Sequence, residues 1–158
     1  MKRLLLFCVG LVLVFSSVVF GAYEIAFIVK ATDSDFWQYT IVGAKNAEKD
    51  LQGLVKVTVY GPPSEADIDK QVAILEDVVR KKPDAIVISS TSSQATAPAL
   101  NKAFQQGIKV ILIDNFVYDT GYNSFLATNN KVGGGLAAEK VDLPQKKLLN
   151  SSKKLASP

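Results

Sequence analysis

The sequence predicts an α/β fold built on a doubly wound parallel sheet, and three observations carry that expectation. Strand-like apolar runs and amphipathic helical patterns alternate four times along the chain. The connections from strand to helix are only a few residues long, as parallel crossover units require. The opening run Ile25-Ala26-Phe27-Ile28-Val29 is continuously apolar and bounded by polar residues, which suits a strand covered on both faces. The expected strand order is 2-1-3-4-5.

The 158 residues suffice for one domain with a real core, but the first segment does not belong to it. Lys2 and Arg3 precede an apolar run from Leu4 to Val19, and small residues follow at Gly21 and Ala22. That run is shorter than the roughly 20 residues of a spanning helix. Residues 1–21 therefore read as a cleavable signal peptide, with cleavage after Gly21 or Ala22 and a retained anchor as the alternative. Export implies a periplasmic or otherwise extracytoplasmic location. The single cysteine, Cys8, lies inside the apolar run rather than after it, which disfavours a lipid anchor.

A mature chain without cysteine or histidine excludes disulfides, thiolate nucleophiles, ordinary zinc sites and histidine-based triads. The basic balance is an end effect. Between Ala22 and Lys140, 12 lysines and arginines face 14 acidic residues, a net of −2. No electrostatic footprint for nucleic acid remains in that body.

After the first strand, Tyr39/Thr40, Gly43/Ala44, Ala47 and Leu51 recur at helical spacing as the expected buried stripe, opposite Lys45, Glu48 and Lys49. Gly53 marks the stop. Leu54 to Tyr60 is rich in valine and reads as the second strand. Ser64 with Asp67 reads as a capping arrangement for a helix whose apolar face is Ile68, Val72, Leu75 and Val79. Lys81, Lys82 and Pro83 end it. Ala85 to Ser89 is the third strand and Ser89 to Ser93 a hydroxyl-rich loop. The third helix is expected from Ser93 to Gln106, with Gly107 as its stop. Lys109 to Ile113 is the fourth strand, emptying into Asp114-Asn115. Turn residues fill Asp119 to Asn123. Phe125 to Thr128 is a short fifth strand, and Asn129 or Asn130 is placed to cap a helix from Lys131.

In open α/β sheets ligands bind at the carboxyl ends of the strands. Those ends hold Ser34, Phe36, Trp37, Ser89, Asp114 and Asn115. A phosphate site needs glycines after the first strand, whereas Asp33, Ser34 and Asp35 stand there and would repel phosphate. Gly133-Gly134-Gly135 follows the fifth strand and lacks the lysine of a phosphate loop. A receiver domain would need an acceptor aspartate where Ser89-Ser90 stands. A neutral polyhydroxylated ligand fits these residues better. Aromatic faces cover the C–H side of a sugar ring, while Asp and Asn bond its hydroxyls. Read from position alone, Phe36 and Trp37 either staple the helix to the core or furnish a pocket. Asp114 has the parallel alternative of a turn cap, and Ser89 that of an ordinary loop serine. Without His or Cys no acid-base arrangement follows a known spacing, so no enzyme, cofactor or metal is expected.

The stretches IAFIVKATDSDFW, VILIDN and LATNNKVGGGLAAE, in that order, resemble the N-terminal lobe of type I periplasmic binding proteins, the ribose- and galactose-binding group serving ABC sugar importers. The resemblance covers about Tyr23 to Lys140. It implies a three-layer α/β/α lobe over residues 22–130, a monosaccharide or related polyol as ligand, and an ABC permease as partner of the full-length form. It also implies roles for particular residues. Phe36 and Trp37 fall where the family stacks aromatics on the sugar, Ser34 where a ligand asparagine is frequent, and Lys30 on a strand-end polar contact. Ser89 stands where ribose binders use asparagine. Asp114 coincides with the family's sugar-binding aspartate, and Asn115 replaces a frequent arginine. Asp35 stands where proline is usual, so ribose itself is not implied.

In this family the chain crosses to a second lobe just after the fifth strand. Residues 131–158 are accordingly expected to be the start of a truncated second lobe and a disordered tail, VDLPQKKLLNSSKKLASP, from a truncated or frameshifted reading frame. A single lobe leaves its ligand half solvated, so sugar binding by this chain is expected to be weak or undetectable. The open cleft face is also a surface for self-association. A sugar-sensing periplasmic partner of a membrane receptor is the alternative function, using the same lobe.

Overall fold

A computed structural model of the chain describes residues 21–140. The apolar leader and the divergent tail from residue 141 onward lie outside the described residues. The elements run β1 (Tyr23–Ile28), α1 (Asp35–Asp50), β2 (Val55–Tyr60), α2 (Ile68–Lys81), β3 (Ala85–Ile88), α3 (Ser93–Gln105), β4 (Lys109–Ile113) and β5 (Ser124–Leu126). A fourth helical stretch, α4, occupies residues 130–140. It is opened by Asn129, whose Oδ1 accepts the Val132 N–H at 3.1 Å.

All neighbouring strands are parallel, in the expected order β2-β1-β3-β4-β5. β1 is an interior strand, with Ile28 beside Tyr60 on one side and Ile88 on the other. The first crossover runs outward to β2 and the second returns past β1 to β3. This reversal puts successive helices on opposite faces and opens a crevice at the carboxyl ends of β1 and β3.

Strand alternation divides the core accordingly. Ala26, Ile28, Ile86, Ile88, Val110 and Leu112 pack with Leu75, Val78 and Val79 of α2 and with Ala99, Leu100 and Ala103 of α3. Phe27, Val29 and Val57 pack on the other face with Trp37 of α1. That second face is covered less completely: Val87 and Ile113 are half-buried and Leu126 is exposed.

Two expectations require correction. The inward face of α1 is Trp37, Thr40, Ile41, Ala44, Lys45 and Glu48, while Tyr39 is 78% exposed. Two interactions turn the helix this way. Trp37 enters the core, and the charged pair satisfies the free backbone of edge strand β2: Val57 N–H donates to Glu48 at 2.7 Å, and Lys45 donates to the Val57 carbonyl. These bonds occupy backbone groups that an edge strand otherwise leaves open. In α2 the helix begins only at Ile68, and Asp67, its N-cap, makes no side-chain cap bond. Its carboxylate takes Lys70 at 2.9 Å instead, and Ser64 Oγ accepts the Ala66 N–H in a preceding turn.

The stops fall where the glycine and lysine signals placed them. Gly53 and Gly107 adopt φ of +86° and +85°, which glycine takes without steric cost. Lys82 closes α2 in the left-handed region at φ 54°, its N–H on the Val79 carbonyl.

Candidate functional site

The carboxyl ends of β1, β3 and β4 bring Lys30, Ser89, Asp114 and Asn115 into one cluster. Lys30 Nζ lies 2.7 Å from Asp114 Oδ2. Ser89 Oγ lies 3.4 Å from the same oxygen and 3.3 Å from Asn115 Oδ1, so its one proton serves either acceptor. Ser89 is fully buried, whereas the Asp114 side chain keeps 39% of its surface in solvent. Among the described residues no hydrogen bond reaches Asp114 Oδ1, which leaves one acceptor of the carboxylate unspent.

Asp114 holds this position in the left-handed backbone region, φ 66°. Its N–H is tied to the Leu126 carbonyl at 2.9 Å, which ends β4 against β5. For a residue with a Cβ this conformation costs on the order of 1 kcal/mol, though Asp tolerates it better than most. In this conformation the carboxylate meets Lys30.

The two aromatics after β1 separate. Trp37 is 2% exposed and sits in the core, its indole N–H donating to Glu65 Oε1 at 2.6 Å. Phe36 is 60% exposed and meets the indole edge-to-face, with ring centroids 4.9 Å apart and planes at 87°. Lys30 Nζ stands 5.6 Å from the Trp37 ring centroid, so the cation is shared between a carboxylate and an aromatic face. Phe36, Trp37 and Asp114 line one open concavity of about 360 Å³, together with Leu126 and Thr128. Ser34 is the N-cap of α1 but makes no side-chain cap bond, and no hydrogen bond connects it to the cluster.

Sequence reading missed Thr40, Ile113 and Thr128 at this concavity, which have no distinguishing local pattern. It also missed Gln71, a fully buried amide in α2. Gln71 Nε2 donates to the carbonyls of Val29 (3.0 Å) and Ser89 (2.9 Å). Its Oε1 accepts the Thr91 N–H (2.8 Å) and Thr91 Oγ1 (2.9 Å). The available signal was a polar residue four positions before Leu75 on an otherwise apolar stripe.

A wider concavity of about 590 Å³ lies at the opposite end of the sheet, between Tyr23, Asp84 and Lys109. Its acid is already engaged: Asp84 Oδ2 accepts the Glu24 N–H at 2.7 Å. Convergent polar groups, rather than volume, mark the carboxyl end as the site.

The open parallel sheet carries at its switch point a cation and an exposed aromatic after β1 and a half-exposed carboxylate after β4, at the end of a doubly wound sheet where such folds take their ligands. The chain belongs to the periplasmic binding protein domain family, whose model matches residues 25–146. It is 32% identical over 117 residues to the D-apiose import binding protein of Actinobacillus succinogenes, covering 73% of this chain and 36% of that one. With the D-ribose/D-allose-binding protein of Pseudomonas aeruginosa it shares 32% identity over 92 residues, 58% of this chain and 29% of the relative. Among solved structures, the carbohydrate transporter solute-binding protein of Agrobacterium radiobacter in complex with D-arabinose superposes with a TM-score of 0.68 at 39% identity, covering 78% of this chain and 40% of that one. The Agrobacterium vitis ABC transporter solute-binding protein with bound D-fucose gives the same TM-score and identity over 74% and 41%. The chain thus spans about a third of the curated relatives and two fifths of the solved ones.

Proposed function

We propose that this chain forms the N-terminal sugar-binding lobe of a solute-binding protein of an ABC sugar importer, exported to the periplasm and working with a membrane permease in the full-length form. Residues 22–130 make the lobe, and the chain beyond it leads toward a second one. The carrying observation is Asp114: a carboxylate held by Lys30 through one oxygen, with no hydrogen bond to the other among the described residues, in a concavity it shares with the exposed Phe36. Such a carboxylate accepts from sugar hydroxyls while the ring covers the apolar face of the sugar. Of the expected site residues, Lys30, Ser34, Phe36, Asp114 and Asn115 are the proposed contacts, while the buried Trp37 and Ser89 hold them from beneath. Phe36 supplies the stacking surface and the buried Trp37 supports it from behind. The relatives are binding proteins rather than enzymes, which supports a role in capture without turnover.

One lobe supplies one wall of a cleft, so binding measured on this lobe by itself is weak. Titration with D-arabinose, D-fucose, D-ribose or D-apiose up to about 50 mM, well above a millimolar Kd, is expected to shift the amide resonances of Phe36, Ser89, Asp114 and Asn115. Asp114→Ala removes the response. A folded chain with no shift at these residues for any of the sugars would overturn the reading.

A further inference from the structure

We propose that Gln71 is a positioning residue that sets the relative placement of the β1 and β3 ends, and through them of Lys30 and Ser89. The proposal rests on the sugar-binding reading above. Gln71 contributes nothing to the concavity surface and is 0% exposed. Yet it is bonded to three residues of the site's scaffold: Val29, next to Lys30; Ser89 itself; and Thr91, at the bend before α3. β1 and β3 pair only as far as Ile28 and Ile88. Past that point the ladder continues through the Ser89 N–H on the Ile28 carbonyl at 3.0 Å, and the next two carbonyls, Val29 and Ser89, both turn to one amide.

The chemistry selects glutamine. An amide offers two N–H donors to the two carbonyls and a carbonyl oxygen with two lone pairs to the Thr91 N–H and hydroxyl, so all four contacts are satisfied by one planar group. Glutamate has the same shape but presents an acceptor to two acceptors. Methionine has nearly the same reach and bonds none of them, leaving buried backbone groups without partners. With Gln71 in place the fully buried Ser89 hydroxyl is held on the Asp114–Asn115 pair. Without it the two strand ends lose their common anchor and separate.

The test uses the whole chain with Gln71→Met and Gln71→Glu, read by amide hydrogen exchange and by D-arabinose titration followed residue by residue. The expected result for Gln71→Met is at least a tenfold faster exchange at Thr91 and at least a tenfold weaker sugar response at Ser89 and Asp114. In Gln71→Glu the sugar response recovers as the pH is lowered and the new carboxyl gains a proton to donate, whereas the parent response has no matching rise. Identical sugar response and identical Thr91 exchange in parent and Gln71→Met overturn the proposal and leave the sugar-binding reading standing. Should Gln71→Met not fold, Thr91→Val removes one of the four bonds. A several-fold weaker response then supports the proposal, and an unaltered one overturns it. If the parent itself shows no sugar response, the functional reading fails. Positioning is then judged by Ser89 and Thr91 exchange alone, where no change between parent and variant overturns it.

Discussion

Lys30 and Asp114 lie 84 residues apart in the chain, yet the ammonium of one touches the carboxylate of the other at 2.7 Å across the crevice between β1 and β4. The pair bridges over β3, the strand between them. It sets the charge at the mouth of the site: one cation and one anion in contact, with the second carboxylate oxygen left over.

The pair is partly open to solvent, with side-chain exposures of 17% and 39%, so its coupling should be modest. A double-mutant cycle with Lys30→Met and Asp114→Asn is expected to give about 0.5 to 1 kcal/mol. Asp114→Gly is more telling. Glycine relieves the left-handed strain at φ 66° but loses more backbone entropy on folding, so stability should stay within about 1 kcal/mol of the parent. The sugar response should vanish all the same, as seen by resonance titration beside a urea melt.

Phe36 and Trp37 should respond to truncation in opposite ways. Trp37→Ala empties a core position and orphans Glu65, and is expected to cost about 3 to 5 kcal/mol. Phe36→Ala removes an exposed ring and should cost no more than about 1 kcal/mol, while weakening the sugar response several-fold. Equal destabilisation by the two would contradict the division between support and surface. Chemical denaturation followed by circular dichroism measures both.

Gly61, just past β2, tests how tightly the strand ends are packed. A Cβ there would lie 2.7 Å from Val29 Cγ2 and 3.1 Å from the Val29 carbonyl oxygen. Val29 is fully buried and cannot retreat. Gly61→Ala is therefore expected to destabilise by about 1 to 3 kcal/mol and to perturb the neighbouring Lys30 amide. A melting curve that overlays the parent's would show that the strand end yields.

Glu48 gives a pH signature. Its side chain accepts from Lys45 at 2.8 Å and from the Val57 N–H at 2.7 Å, and these bonds hold its carboxyl below the usual glutamate range. A carboxyl with a lowered folded pKa binds its proton more readily in the unfolded chain, so its contribution is complete above the unfolded value of about 4.3 and is lost as pH falls through the folded one. Between about pH 6 and about pH 3 the parent's urea midpoint should fall more steeply than that of Glu48→Gln. Superimposable profiles would falsify this assignment.

The strands and the three helix stops were legible locally because they depend on short-range signals: runs of β-branched residues, and Gly53, Lys82 and Gly107 at the chain reversals. The rotation of α1 was not legible. Tyr39 and Gly43 match a helical stripe as well as Ile41 and Ala44 do, and only the free Val57 backbone on the edge of β2 decides between them. Likewise Ser64 and Asp67 have the spacing of a cap, but Lys70 offers the Asp67 carboxylate a better partner.

The site divides along the same line. By itself the sequence determined that a sheet of order 2-1-3-4-5 would place Lys30, Phe36, Ser89 and Asp114 at one edge, because parallel crossovers leave every strand end on the same side. It also determined the chemical character of that edge, aromatic, acidic and hydroxyl-bearing with no glycine-rich phosphate loop after β1, because residue types alone set donors, acceptors and charge. Only the tertiary structure decided which ring is support and which is surface, which Asp114 oxygen is spent on Lys30, and that Gln71 holds the two strand ends together. Those outcomes depend on which groups meet after the chain has closed on itself, and no periodicity encodes the meeting of residues 84 positions apart.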